Sequence, residues 1–255
     1  MICAKLCGAL ACLCLCVLPA AAGSVDVAIV FAVDNSSSVD PHTADLQREG
    51  HASAIKAPEV LAAIARNEFG CIAIAYMEWS RPGSARTVLP WTMICERADA
   101  EIASLIISKA GNQGLGRAIR RSTSISYALD AGGLLIDQLP YLAVRKVIDV
   151  STNGMNNDGL PVEQRRLMAL SKGYTINAIV LPNGLEVSEE QLAIYLKQEV
   201  AGGPLSFVTV PKGVEQYAAT LRRKLIQEIA SDVDLPLLLP EKSASPRAGG
   251  WAGPA

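Results

Sequence analysis

Three clusters of small polar residues carry the side chains best suited to chemistry. The first is Asp34-x-Ser36-x-Ser38, the second Ser122-Thr123-Ser124, and the third Ser151-Thr152-Asn153-Gly154 followed by Asn156, Asn157 and Asp158. Hydroxyl, carboxylate and carboxamide oxygens with no imidazole or thiolate nearby suit a hard cation such as Mg2+ or Mn2+, which accepts such ligands and keeps several waters. The same residues also serve plain structural ends. An Asp after the first strand of an α/β fold is common, and Ser and Thr cap helices. Both readings stand for Ser36, Ser38 and Thr123 until the elements that carry them are placed.

Those elements alternate. Positions 24–33 (SVDVAIVFAV) form a Val- and Ile-rich run, short enough for a strand buried on both faces, and it ends at the DNSSS turn. Asp40-Pro41 then opens a helix to about position 55, with Asp as cap and Pro at the first position. A second helix at 58–66, a hairpin over 70–94 and a helix at 97–108 follow, with 111–116 as loop. Apolar residues at intervals of three and four predict a helix over 123–139. Strand 145–151, loop 152–160, helix 161–172, strand 174–181, helix 188–198, strand 205–210 and a last helix over 214–230 complete the pattern. Such alternation predicts a doubly wound, mostly parallel sheet covered on both faces, with one antiparallel edge strand from the hairpin. Ligands of such sheets bind at the carboxyl ends of the strands, where all three polar clusters fall.

Composition narrows the class. The 255 residues are 50% hydrophobic and 19% charged, with a formal charge of −2, which excludes both a mostly disordered chain and a basic nucleic-acid binder. Residues 1–22 carry Lys5, an apolar run broken by Pro19, and Ala20-Ala21-Ala22, the pattern of a signal peptide cut after Ala22. A retained anchor is the alternative, but the run is shorter than the roughly 20 residues a spanning helix needs. The expected organisation is therefore signal 1–22, one domain 23–230 and a flexible tail 231–255, with secretion or periplasmic export and no stable membrane span after cleavage. Of seven cysteines, only Cys71 and Cys95 lie beyond the signal, equidistant from Gly83 at the hairpin turn. Facing each other across the hairpin, they would form a disulfide; two unlinked buried thiols are the alternative.

Other residues draw attention for their setting. Asp149 interrupts an apolar strand, where it either bonds neighbouring backbone and hydroxyl groups or stands behind the polar site. Trp79 and Trp91 flank the hairpin turn and read as packing residues, and Arg117, Arg120 and Arg121 as a solvated face. His42 and His51 are the only histidines and are expected on a helix surface.

The order strand–DxSxS–helix, then a Thr before a helix, then S-T-N-G after a strand resembles the von Willebrand factor A domain and its metal ion-dependent adhesion site. The resemblance runs from about Val25 to Ala230. It is greatest to a family of secreted bacterial proteins, a domain of unknown function, on the segments AYMEWS (75–80), PWT (90–92), KVIDVS (146–151), NNDG (156–159), YTINAIVL (174–181), AGGPLSFV (201–208) and RRKLIQEIA (222–230). It implies a three-layer α/β/α sandwich, with Ser36, Ser38 and Thr123 as hydroxyl ligands and Asp34 ligating directly or through water. The family usually has Thr-Asp-Gly where this chain has Thr152-Asn153-Gly154. Asn153 can bond a metal-bound water but brings no charge, so the site would bind metal weakly and attract an acidic partner more strongly. Asp158 or Asp40 could restore that charge. The expected function is capture of a protein partner through its Asp or Glu, not catalysis. A structural domain with a degenerate metal site is the alternative, and a periplasmic hydrolase a further one, although no G-x-S-x-G elbow is present.

Overall fold

An apolar run with nothing polar between Asp26 and Asp34 can only be satisfied between two covering layers, and that is where the first strand lies. The computed structural model describes residues 23–110, 122–182, 184 and 187–230. Strand β1 (Ser24–Asp34) is buried from Val25 to its end. It sits at the centre of a six-stranded sheet of order β3-β2-β1-β4-β5-β6, with β2 Ile72–Trp79, β3 Ala85–Ile94, β4 Leu142–Thr152, β5 Thr175–Val180 and β6 Val208–Thr209. All neighbours pair in parallel except β2 and β3. The mostly parallel sheet with one antiparallel edge strand is thus present.

Helices cover both faces. Helices α1 (Pro41–Ile55), α2 (Pro58–Ala65), α3 (Arg97–Lys109) and α7 (Tyr217–Ile229) pack on the side of Val27, Ile29, Phe31 and Val33. Helices α4 (Ile125–Asp137), α5 (Val162–Ser171) and α6 (Glu189–Tyr195) pack on the side of Val30 and Ala32. Strand order reverses at β1, whose neighbours are β2 on one side and β4 on the other. The crevice at the carboxyl ends of β1 and β4 is therefore the topological switch point.

Several boundaries differ from the sequence pattern for local reasons. The helix expected from 123 begins at Ile125, because Ser124 is its cap and accepts the Tyr127 N–H. Thr123 is left just outside the helix, free to face the sheet end. The strand expected over 205–210 shrinks to Val208–Thr209, since Gly203 and Leu205 both adopt positive φ and turn the chain away. The helix expected over 188–198 ends at Tyr195 and continues as a π turn, Leu196–Val200.

The hairpin is symmetric about Gly83 only at its base, where Ile72 faces Ile94. Irregularities around Tyr76 shift the pairing nearer the turn, so that Glu78 faces Arg86. Pro90, which has no N–H to give the ladder, lies in that irregular stretch. Cys71 and Cys95 are joined by a disulfide at the base. Among the described residues no helix is long and apolar enough to cross a membrane. The expected signal 1–22, the tail 231–255, the loop 111–116 and the Arg117, Arg120, Arg121 cluster lie outside the described residues.

Candidate metal centre at the carboxyl ends of β1 and β4

Asp34 ends β1 and is fully buried. Its Oδ1 accepts the Ser36 N–H at 2.8 Å and its Oδ2 the Thr152 hydroxyl at 2.7 Å. Burial pushes its carboxyl above the ordinary value, while bonds from Thr152, Ser36 and the Asn153 backbone pull the other way. The strand ends are fixed together by Gln47 of α1, which donates to the Asp34 carbonyl at 2.8 Å and accepts the Ser151 hydroxyl at 2.6 Å. On the other side, Asn35 donates its N–H to the Trp79 carbonyl and its Nδ2 to Glu78. Glu78 in turn is ion-paired at 2.7 Å to both Arg48 and Arg86.

The turn after β1 aims two hydroxyls at the loop after β4. Ser36 Oγ lies 3.1 Å from Ser38 Oγ, and Ser38 Oγ donates to Asn153 Oδ1 at 3.0 Å. Thr123 Oγ1 reaches Ser36 Oγ at 3.4 Å. All five residues expected at the site, Asp34, Ser36, Ser38, Thr123 and Asn153, thus meet in one hydrogen-bonded group. Ser36, Thr123 and Asn153 are buried with Asp34, whereas Ser38 is half-buried. Gly184 closes against them at φ +71; a Cβ there would lie 2.4 Å from the Ser38 carbonyl oxygen.

The donor set consists of three hydroxyls, one carboxylate and one carboxamide oxygen. Among the described residues no group of three or more His, Cys, Asp or Glu gathers in a way that could hold a metal ion. The chemistry of this set fits a small hard cation. The two acids considered for restoring the charge missing at Asn153 both accept hydrogen bonds from groups outside the five-residue cluster. Asp40 accepts the Thr43 N–H as the cap of α1, and Asp158 accepts the Ser122 hydroxyl and the Gly159 N–H.

Sequence reasoning missed several residues here. Gln47 reads as an ordinary polar helix position, and Glu78 as one side chain of a strand; both are buried only because partners converge on them from other elements. Asp149 bonds neither backbone nor hydroxyl groups in the way expected. It pairs with the ammonium of Lys224 at 2.5 Å, and Lys224 also reaches Glu228. His51 is a second correction: it is 2% exposed, packed edge-on against Phe31 and Tyr76, with Nδ1 2.8 Å from the Gln47 carbonyl. His42 is exposed as expected. Trp79 is wholly buried, and Trp91 donates its indole N–H to the Leu135 carbonyl, so both are packing residues.

Sheet order and helix layers together give the chain a von Willebrand factor A-like fold. More narrowly, the chain belongs to the family described as protein of unknown function (DUF1194), whose model matches residues 24–233. None of the curated proteins matches it in sequence. Its fold is similar to the pilus adhesin SpaC from Lactobacillus rhamnosus GG (12% identity, TM-score 0.56, covering 80% of this chain and 31% of that one). It is similar as well to a von Willebrand factor type A protein from Catenulispora acidiphila (13% identity, TM-score 0.55, 80% and 43%). A third likeness is to proximal thread matrix protein 1 from the mussel byssus, in a structure with a zinc-occupied MIDAS motif (16% identity, TM-score 0.56, 82% and 49%). At these identities the likeness is one of fold, and the chain spans less than half the length of each of these proteins.

Proposed function

We propose that this domain is the binding module of an exported protein. It captures an Asp or Glu of a protein partner through a Mg2+ or Mn2+ held by Asp34, Ser36, Ser38, Thr123 and Asn153. The observation that carries this reading is the meeting of those five residues, drawn from three separate segments, in one hydrogen-bonded group at the switch point, which Asp34 joins through the Ser36 N–H. A bound divalent ion supplies a positive centre able to take a further carboxylate oxygen. With Asp34 as the only carboxylate in the set, that ion keeps about one net positive charge, which favours an acidic ligand from a partner. The zinc-occupied MIDAS of the mussel protein supports the use of this fold for metal. The Cys71–Cys95 disulfide supports an oxidising compartment, hence export.

A hydrolase of the Ser–His type is the less favoured alternative, since it needs an imidazole beside a serine and His51 is instead enclosed by Phe31 and Tyr76 with its Nδ1 on the Gln47 carbonyl. One observation favours a second reading, a structural domain with a degenerate site. Ser38 already donates to the neutral Asn153, so the cluster is internally satisfied without an ion. Titration calorimetry of the purified chain with Mg2+ and Mn2+ separates the two. Binding that is lost in Ser36→Ala, with the melting temperature held within a few degrees, supports the adhesion site. No heat at millimolar ion leaves only the structural domain.

A further inference from the structure

Thr123 differs from the other candidate ligands in how it is held. Asp34 ends a strand, Ser36 and Ser38 follow it within four residues, and Asn153 directly follows β4. Thr123 instead precedes a helix, and its position is set from across the crevice by the loop after β4. Asn157 grips both sides of its backbone: Asn157 Oδ1 accepts the Thr123 N–H at 2.8 Å, and the Asn157 N–H donates to the Thr123 carbonyl at 2.9 Å. The neighbours extend the grip. Asp158 accepts the Ser122 hydroxyl, and Asn156 Oδ1 accepts the Ser126 N–H at 3.0 Å. Tyr195 of α6 receives the Asn156 N–H at 3.3 Å, anchoring the loop from below. Gly159, at φ +85, lets the loop close; a Cβ there would stand 2.5 Å from Ser124 Oγ.

We infer that Asn157 is the positioning residue that holds the Thr123 hydroxyl in the metal site, and that the affinity of the site for a divalent ion depends on its side-chain oxygen. The inference rests on the metal-binding reading above. Its physical basis is the length of the Thr123–Ser36 contact. At 3.4 Å it is the longest of the cluster, at the limit of a hydrogen bond, so a small retreat of the Thr123 backbone removes that oxygen from the group. Asn157 bonds to the Thr123 backbone on both sides and is exposed, so truncating it opens no cavity. Its role is that of an outer partner that orients a ligand, a kind of residue whose loss typically weakens metal binding roughly 10–100-fold.

The test uses the full chain and Mn2+ in titration calorimetry, with thermal unfolding in the absence of metal alongside. Asn157→Ala should weaken Mn2+ binding by roughly 10–100-fold. Asn157→Asp keeps an acceptor for the Thr123 N–H and should bind at least as tightly as the unaltered chain. Should Asn157→Ala not fold, Asn157→Gln replaces it: the carboxamide stays but its oxygen moves by one methylene, and the same loss is expected. Equal Mn2+ affinity in the unaltered chain and in the folded Ala or Gln variant overturns the inference and leaves the site intact. So does a lower melting temperature in that variant without change in affinity, since that marks a merely structural bond. Absence of Mn2+ heat in the unaltered chain is a different failure, because it removes the adhesion reading itself and this inference with it.

Discussion

Asn153 decides the charge of the site. Its Oδ1 accepts the Ser38 hydroxyl, a role an Asp oxygen fills equally well, so Asn153→Asp adds a charge while keeping that bond. A second carboxylate beside a bound cation gains Coulomb energy even at the effective dielectric of a protein surface. Asn153→Asp should therefore tighten Mg2+ binding by roughly tenfold or more. The same change leaves the bound ion with less net positive charge, so capture of an acidic partner should weaken as metal affinity rises. Calorimetry with metal and then with an Asp-containing peptide checks both directions.

A second set of residues, far from that rim in role, makes stability depend on pH. Glu228 is pushed up to about 7 from an ordinary 4.5, chiefly by burial and then by Asp149. Asp149 is also raised by burial, against the pull of Lys224. The folded chain keeps a proton on this pair that the unfolded chain releases. That contribution is full below pH 4.5 and is lost as pH rises through about 7. His51 works in the opposite sense. Burial pushes it down to about 4 from 6.5, so its contribution is full above pH 6.5 and is lost as pH falls through 4. The two oppose each other in the overlap. Urea midpoints across that range should rise with pH in Glu228→Gln and fall with pH in His51→Gln; identical profiles for the two variants would rule this account out.

At the scale of elements, the hairpin β2–β3 is the part held covalently. Cys71 and Cys95 are separated by 24 positions. Closing a loop of that size stabilises by about 3 kcal/mol in the chain-entropy account. Replacing both cysteines by Ser should lower stability by roughly that amount, read in urea unfolding, and should leave metal binding unchanged because the bond lies at the opposite end of β2 from Asp34. The pairing was legible in the sequence because a turn at Gly83 fixes which residues face each other near the base. The irregularities around Tyr76 were not, since nothing local to β2 says where the partner strand will bulge. Strand β1 was legible from its unbroken apolar run, and so was the turn that follows it. Strand β6 was overestimated: its apolar residues look like a strand, but Gly203 and Leu205 turn the chain so that only two residues pair. Lys224 was hidden beside Arg222 and Arg223, because its burial depends on Asp149 from another element. Asn157 was hidden for the same reason, since its partner Thr123 is 34 residues away. Patterns local in sequence foretold the elements and the ligand types; contacts between elements supplied what holds them.

For the whole molecule, the distribution of charge sets what the rim can attract. The chain carries a formal charge of −2, so long-range attraction for an acidic partner does not come from its side chains taken together. A divalent ion held at the switch point, as proposed, would reverse that locally. The helices that cover both sheet faces leave the carboxyl ends of β1 and β4 as the place where polar groups from three segments gather. Capture of a partner should then depend on the divalent ion rather than on general electrostatics, and the two differ in their response to salt. Contacts between exposed charges are screened beyond about 8 Å at physiological ionic strength, whereas a carboxylate bound directly to a metal is not. A pull-down from exported proteins in Mg2+ should retain the same partner on raising salt severalfold, lose it on adding chelator, and lose it in Ser36→Ala. Retention in chelator combined with loss in salt would mean that the surface charge, and not the five-residue cluster, makes the contact.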